Sequence, residues 1–195
     1  MKNLKTIILT LLITFFSISS SNSENVRMGV EGGFVFADIR AEETAQTLAN
    51  LSGSTVTYSY DEATWMGRLF ADYSFTPEIS AEVGYFFTGS LDATYTISGA
   101  SATESYDAMG VDAAAVIKSD DLFFKIGMHS SELNGAASLT IGGTKYNVSD
   151  SISGTGYLAG AGLEIDNSRF GFTYYSDMGG DSDSDMSFLY YGIIF

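Results

Sequence analysis

The sequence predicts an all-β protein, an eight-stranded antiparallel transmembrane β-barrel with short turns at one end and long loops at the other. Three observations lead to this prediction. Apolar and polar residues alternate along eight segments of the chain, as they do in half-buried strands. The connections between these segments are alternately short and long. Within the segments, the charged residues fall on the polar face and the apolar face carries none.

The N-terminus is predicted to be a secretory signal peptide, residues 1–23. Two lysines precede an apolar run from Thr6 to Phe16, and small polar residues follow it. The apolar run is too short for a membrane helix, which needs about 20 residues. We expect cleavage near Ser23, which leaves residues 24–195 as a single barrel domain. The alternative is an N-terminal anchor that is not removed.

The composition of the mature chain excludes several classes of protein. Cleavage would leave 7 basic and 24 acidic residues, a formal charge of −17, which argues against nucleic acid or anionic lipid as partners. Without cysteine there is neither a disulfide framework nor a thiolate metal site. The chain contains 21 glycines, 14 phenylalanines, 12 tyrosines and one proline, a mixture typical of a sheet protein.

The first predicted strand shows the alternation. Val26, Met28, Val30 and Phe34 lie on one face, whereas Arg27 and Glu31 lie on the other. The same sorting recurs along the chain, and most segments have about the length that a tilted strand needs to cross a bilayer. The eight predicted strands are residues 26–36, 65–75, 79–87, 109–117, 122–129, 157–165, 170–174 and 189–195.

The connections predict which end of the barrel faces outward. Tight turns are expected at residues 76–77, 119–120 and 166–168, and transmembrane barrels have their short turns on the periplasmic side. One extracellular loop contains Gly142-Gly143, a good hairpin turn between residues 137–141 and 144–148. Only residues 42–51 have a periodicity compatible with a helix. The predicted extracellular loops are residues 37–62, 88–106, 130–154 and 177–186.

The charged face is predicted to line the lumen. A soluble barrel of lipocalin type is the alternative, but its water-facing exterior would carry more than nine charges over eight strands. Aromatic residues on the apolar face also collect at both ends of the strands, as at the two interfaces of a bilayer. An eight-stranded lumen is just wide enough to be filled by side chains, so we expect a plug, with a narrow pore as the alternative. The predicted lumen charge network is Arg27, Glu31, Arg68, Asp72, Glu82, Asp112, Lys125, Glu164 and Arg169.

Within this network we expect particular pairs, because an unpaired charge inside the barrel is costly. Glu164 and Arg169 should pair across the turn between them, and Asp112 and Lys125 should be diagonal neighbours. Asp72 and Glu82 should lie opposite one another and need a cation, for which Arg68 and Arg27 are the candidates.

Residues 70–85, 157–164 and 169–174 resemble the second hairpin, the sixth strand and the seventh strand of the OmpA-type family of small outer-membrane barrels, which includes OmpX-like and opacity-protein relatives. The resemblance covers nearly the whole mature chain and implies residence in the cell outer membrane. The chain ends at Phe195, so the peptidoglycan-binding domain of full-length OmpA proteins is not expected.

The C-terminal residues carry a second signal. Leu189, Tyr191, Ile193 and Phe195 alternate on the apolar face and finish with phenylalanine. By resemblance these residues are the assembly signal read by the outer-membrane barrel assembly machinery, the alternative being an ordinary last strand. Outer-membrane lipid and lipopolysaccharide are the other expected partners, and a monomer is expected.

Two groups of polar residues suggest chemistry. His129-Ser130-Ser131-Glu132 resembles the polar tip of barrel acyl hydrolases that act on lipid A, although the spacing establishes no triad. Asp177, Asp181, Asp183 and Asp185 resemble the start of a calcium loop, but glycine and glutamate are missing from their places in that motif. Neither a catalytic residue, a cofactor nor a metal site is therefore predicted.

The fold alone does not determine the function, because similar barrels serve different roles. The sequence favours a non-enzymatic structural or surface-interaction protein, adhesin-like, with its specificity in the extracellular loops. The alternatives are a small passive channel of porin type and a lipid A-modifying acyl hydrolase.

Overall fold

The computed structural model describes residues 25–97 and 100–195, so the predicted signal peptide lies outside the described residues. No helix within these ranges is long and apolar enough to cross a membrane. The described elements are β1 (Val26–Ala37), α1 (Ala41–Ser52), β2 (Thr57–Tyr60), β3 (Ala63–Ser74), β4 (Ile79–Thr88), β5 (Leu91–Ile97), β6 (Ala100–Ser119), β7 (Leu122–Ile141), β8 (Thr144–Ile165), β9 (Ser168–Tyr175), a 3₁₀ turn (Met178–Gly180) and β10 (Met186–Ile194).

Eight of these strands close into a ring. Its order is β1, β3, β4, β6, β7, β8, β9 and β10, and every pairing is antiparallel. The closing pair joins β1 to β10, with Val30 opposite Ile193. Closure leaves no unpaired strand edge in the membrane, where each unsatisfied backbone group would cost several kcal/mol. The predicted eight-stranded antiparallel barrel is confirmed.

The short turns lie at one end of the ring. Two of them are two-residue turns. Asp120-Asp121 lies one residue later than predicted, and Asp166-Asn167 is one residue shorter than predicted. Asp120 and Asp166 adopt the left-handed conformation, with φ of 53° and 51°. Aspartate tolerates this region better than most residues, and two-residue hairpins require it.

At the opposite end the strands continue beyond the ring. The β7–β8 hairpin runs to Ile141 and Thr144, which pair across Gly142-Gly143 as predicted. Residues 88–106, expected to be a loop, form mostly strand: β5 pairs with β6, and β2 adds to β5. Helix α1 packs on this extension, where Ala41 and Ala45 share a small apolar core with Ala93 and Tyr95.

The outer surface of the ring is apolar, as a lipid-facing belt must be. Large side chains are exposed here that a soluble domain would bury: Phe34 is 62% exposed and Ile126 is 68% exposed. Aromatic residues flank the belt at both ends. Phe36, Trp65, Phe87, Tyr157 and Tyr174 are exposed towards the long hairpins, and Tyr73, Phe75, Phe170 and Phe195 towards the short turns. Tyr85, also expected at the outer rim, is partly buried against Met109.

Candidate functional site: the filled lumen and the outer cavity

The centre of the lumen is an ionic cluster built on two arginines. The Arg68 guanidinium lies 2.9 Å from Glu31, 2.8 Å from Glu82 and 2.6 Å from Asp112. Arg169 lies on the opposite side of the same carboxylates, in contact with Glu31 and Glu82. Both arginines are almost completely buried, at 2% and 0% exposure. Such charges are tolerated inside a barrel only when each is paired and hydrogen-bonded.

Glycine makes the room that Arg68 needs. Gly84 lies on β4 beside the guanidinium, and a Cβ built on Gly84 would stand 2.5 Å from one of its nitrogens. A side chain at position 84 would therefore push the Arg68 guanidinium away from its carboxylates, so the small residue lets Arg68 keep its ion pairs.

A second part of the cluster lies nearer the short turns. Arg27 bridges Asp72 and Glu164, and Glu164 also pairs with Arg169 at 2.9 Å. Lys118 contacts the same two carboxylates, Asp72 at 3.2 Å and Glu164 at 3.0 Å. The structure thus brings all nine predicted residues into one cluster and adds a tenth, Lys118.

Lys118 is the cation that the sequence analysis missed. The predicted strand ended at Ile117, whereas β6 continues to Ser119, so Lys118 keeps the inward face of Asp112, Ala114 and Val116. Extending the alternation by one residue would have found it. With Lys118 the cluster contains five cations and five carboxylates, which removes the excess of negative charge in the predicted set.

One of the expected pairings differs from the structure. Asp112 and Lys125 are not diagonal neighbours, because Asp112 lies opposite His129 and Lys125 lies opposite Val116. The Lys125 ammonium instead approaches Glu82 at 3.7 Å and Glu31 at 4.0 Å. Asp72 and Glu82 are opposite as expected, and the two candidate cations divide between them, Arg27 with Asp72 and Arg68 with Glu82. The Glu164–Arg169 pair forms as expected.

Above the ionic cluster the lumen is filled by an apolar layer. Phe86, Tyr175 and Phe188 are each 0% exposed, and they pack with Met66, Leu158 and other members of one continuous core. The two layers meet where the Lys125 ammonium lies 5.0 Å from the Tyr190 ring centroid, within the range of a cation–π contact. The lumen is therefore closed by two successive layers of buried side chains.

His129 belongs to this apolar layer. Its Nε2 lies 2.6 Å from the Ser176 carbonyl oxygen and therefore donates a hydrogen bond, and its ring packs against Tyr175. Strand alternation points His129 and Ser131 inward and leaves Ser130 and Glu132 exposed. The Ser131 hydroxyl accepts the backbone N–H of Gly179. The sequence motif thus divides between two faces of β7.

An open cavity of about 360 Å³ lies above the apolar layer. Residues of all four predicted extracellular loops, and of the strand ends next to them, line it. Its floor includes Val35, Met178 and Met186, which also belong to the apolar layer, and Leu133 and Ile152 form part of its wall. Six of the lining residues are aspartates: Asp38, Asp107, Asp150, Asp181, Asp183 and Asp185. We call this space the outer cavity.

The aspartates of the last loop hold the loop together. Asp181 accepts hydrogen bonds from the Asp183 N–H and the Ser184 hydroxyl, and Asp185 accepts from the Asp177 N–H and the Tyr174 hydroxyl. Nowhere in residues 25–97 and 100–195 are three or more acidic or histidine side chains grouped so that they could hold a metal ion.

Beside the outer cavity, the β5–β6 hairpin holds a partly buried carboxylate between two phenols. Tyr95 and Tyr106 both donate to Glu104 at 3.3 Å. Burial, together with the negative charge of Glu104, raises the pKa of Tyr106 to about 12. Both phenols stay neutral donors at physiological pH, and Tyr95 also packs the hairpin against Ala41 and Ala45 of α1.

The predicted assembly residues lie on the lipid-facing surface. Leu189, Tyr191, Ile193 and Phe195 are 40–54% exposed and alternate with inward residues along β10 and its end.

Comparison with known proteins finds relatives only at the level of structure. No family model matches the chain, and no curated protein sequence matches it. The attachment invasion locus protein Ail of Yersinia pestis superposes with a TM-score of 0.54 at 14% identity, over 88% of this chain and 99% of Ail. Ail in complex with the heparin analogue sucrose octasulfate gives the same values. Neisserial surface protein A superposes with a TM-score of 0.44 at 15% identity, over 89% of this chain and 98% of that protein.

At this level of identity the likeness to Ail shows the fold alone. This fold is the one implied by the resemblance of residues 70–85 to the OmpA-type barrels. The apolar belt gives the same answer independently, since it requires a bilayer around the ring. The chain has the fold of the small outer-membrane β-barrels of the OmpA/OmpX-like type and is a protein of the cell outer membrane.

Proposed function

We propose that the protein is a non-enzymatic surface-interaction protein of the outer membrane, with an adhesin-like role carried by its extracellular loops. The observation that supports this proposal is the arrangement along the barrel axis. The loops converge around the outer cavity, and below it the lumen is filled by buried side chains. Such a barrel presents a surface to the exterior and offers no path through the membrane.

The filled lumen also argues against the passive channel. An ion crossing the barrel would have to displace the Arg68 and Arg169 side chains from their carboxylates and then pass the Phe86, Tyr175 and Phe188 rings. Each displaced arginine would leave buried carboxylates without their cation, which is strongly unfavourable.

The acyl hydrolase is disfavoured by the division of its residues. A serine nucleophile needs a base within hydrogen-bond reach and an acid that orients the base. Glu132 lies on the opposite face of β7 from His129, and the Nε2 of His129 is used by a backbone carbonyl. Mass spectrometry of lipid A from expressing cells tests this point, and we expect no change in acylation.

The Ail complex with sucrose octasulfate suggests one kind of partner for Ail, a sulfated polyanion. The outer cavity is lined by six aspartates and a single arginine, Arg40, so it would repel a polyanion. The adhesin-like role therefore calls for a different partner.

We further propose that lipopolysaccharide and outer-membrane lipid surround the belt, and that Leu189, Tyr191, Ile193 and Phe195 are read by the barrel assembly machinery. Replacing Phe195 by aspartate should lower the amount of folded protein at the cell surface, because it removes the terminal aromatic of the alternating signal. Heat-modifiable migration in detergent gels measures the folded fraction. Surface levels equal to wild type would assign these residues to an ordinary last strand.

The adhesin-like role is tested by adherence of a non-adherent bacterial host that expresses the protein. Wild type is compared with a variant whose third loop is shortened by joining Glu132 to Ser153, which are paired neighbours on β7 and β8. The matched control changes the periplasmic turn, Asn167→Gly. We expect the loop variant to lose adherence to cultured cells at equal surface level, and the turn variant to keep it. Equal adherence of all three strains to that of the empty host would refute the role.

A further inference from the structure

We infer that the outer cavity binds a cationic amphiphile, a molecule that combines one apolar group with two or more positive charges; this inference deepens the proposed function and rests on it. Three features of the cavity favour such a ligand: its size, its apolar floor and its uncompensated negative charge.

The size and floor of the outer cavity favour an apolar group. A volume of about 360 Å³ falls within the range of small-molecule sites, which are concave and mostly apolar. The floor residues Val35, Met178 and Met186 are at most 4% exposed and are fixed by the apolar layer beneath them. Two methionines in the floor can adapt to the shape of an apolar group.

The rim has negative charge that the protein itself does not neutralise. Arg40 is the cation of the cavity lining, and it is already engaged by Asp183 at 3.1 Å and by Glu43 at 3.9 Å. Within the described ranges, the donors to the five other aspartates are neutral. Asp38, for example, accepts the Arg40 backbone N–H, and Asp150 accepts the Ser151 N–H. Charge complementarity therefore selects a ligand with several positive charges.

A second cavity adjoins the outer cavity and gives room for the charged tail of a long ligand. Its volume is about 370 Å³, its lining is polar, and it shares Asp107, Gly135, Asp150 and Ser151 with the outer cavity. A ligand with its apolar group on the floor could thus lay a charged tail across Asp150.

The experiment uses the full barrel in nanodiscs of zwitterionic phosphatidylcholine, so that the membrane adds no negative charge. The probe is naphthylacetyl spermine, which has one aromatic group and a polyamine tail. Spermine alone and neutral naphthylacetamide are the two comparison ligands. Isothermal titration calorimetry should give one saturable site for the probe, tighter than for either comparison ligand. Added salt should weaken it, because exposed charges are screened.

Two double variants separate the site from general attraction to an acidic protein. Asp38→Asn with Asp150→Asn removes two rim charges, and an amide oxygen can still accept the same backbone N–H groups. We expect affinity for the probe to fall about fivefold, as for two partly exposed ion pairs. Glu42→Gln with Glu62→Gln removes two exposed charges outside the cavity and should change affinity less than about twofold. Ile152→Ser should weaken the probe without affecting spermine.

Equal losses in the two double variants would overturn the inference, because they would mean nonspecific attraction to net charge. Absence of saturable binding would overturn it as well. The adherence experiment is read separately. Loop-dependent adherence without probe binding would support the adhesin-like role and refute binding of a cationic amphiphile. Probe binding without loop-dependent adherence would support the ligand class and refute the adhesin-like role.

Discussion

The lower and upper halves of the lumen are closed by different physical means. The lower half contains ten charged side chains, five of each sign, centred on Arg68 and Arg169. The upper half contains aromatic and methionine side chains without a formal charge. Two side chains that are equally buried therefore do not tolerate substitution equally. A paired charge leaves its partners stranded when it is removed, whereas an apolar side chain of similar volume can be exchanged.

The largest expected effect comes from Arg68→Met, which keeps the length of the side chain and removes its charge. Glu31, Glu82 and Asp112 would lose a shared cation. Removing one member of a buried ionic cluster costs about 3–5 kcal/mol, and we expect the free energy of unfolding to fall by that amount. Urea unfolding in lipid vesicles measures it. A neutral outcome would mean that water enters the lower lumen.

A second substitution sharpens this prediction. Among the described residues Asp112 has an ion pair only with Arg68, while Glu82 also contacts Lys125 and Arg169. Asp112→Asn should therefore rescue Arg68→Met more completely than Glu82→Gln does. The opposite order would place the excess negative charge at Glu82.

The next largest effect is expected when a charge is placed on the lipid-facing side of β3, at the same height as Arg68. Leu69 follows Arg68 on β3 and lies between Val30 and Tyr85 of the neighbouring strands. Leu69→Arg should cost about 2–4 kcal/mol at the bilayer midplane, and Ser74→Arg, near the periplasmic end, close to zero. The yield of folded protein in vesicles compares the two. Equal insertion would require the two faces to be reassigned.

The smallest effect belongs to the apolar layer. Met66 is 1% exposed and packs in the upper lumen. Met66→Leu nearly conserves its volume and should change the free energy of unfolding by less than about 1.5 kcal/mol. Under the same conditions, Met66→Leu should lower the free energy of unfolding clearly less than Arg68→Met does, although the two positions are equally buried. Equal losses would contradict the difference between the two halves of the lumen.

The membrane-spanning part was the more predictable part of the molecule. Strand alternation has a period of two, so it assigns each residue to a face, and the nine predicted charges meet in the lumen. Lys118 was missed because the predicted strand ended at Ile117, whereas β6 continues to Ser119. The diagonal pairing of Asp112 with Lys125 was wrong because it depends on register, which a shift of two residues changes without altering either face.

The outer cavity could not be predicted from the sequence. It forms where residues far apart in the chain, such as Asp38, Asp150 and Asp181, are brought together by the packing of α1 and the long hairpins. Alternation says nothing about how such segments fold over the barrel mouth. The aspartates suggested a calcium loop by their spacing, while their actual surroundings depend on contacts between loops.

The closed lumen is tested most directly by single-channel conductance of the refolded wild-type protein in planar lipid bilayers. Heat-modifiable migration of the same sample establishes that the barrel is folded, and a large porin recorded in parallel establishes that insertion is detected. The two filled layers predict no conductance steps from this protein. Stable, reproducible steps from the folded barrel would contradict the closed lumen and favour the passive channel.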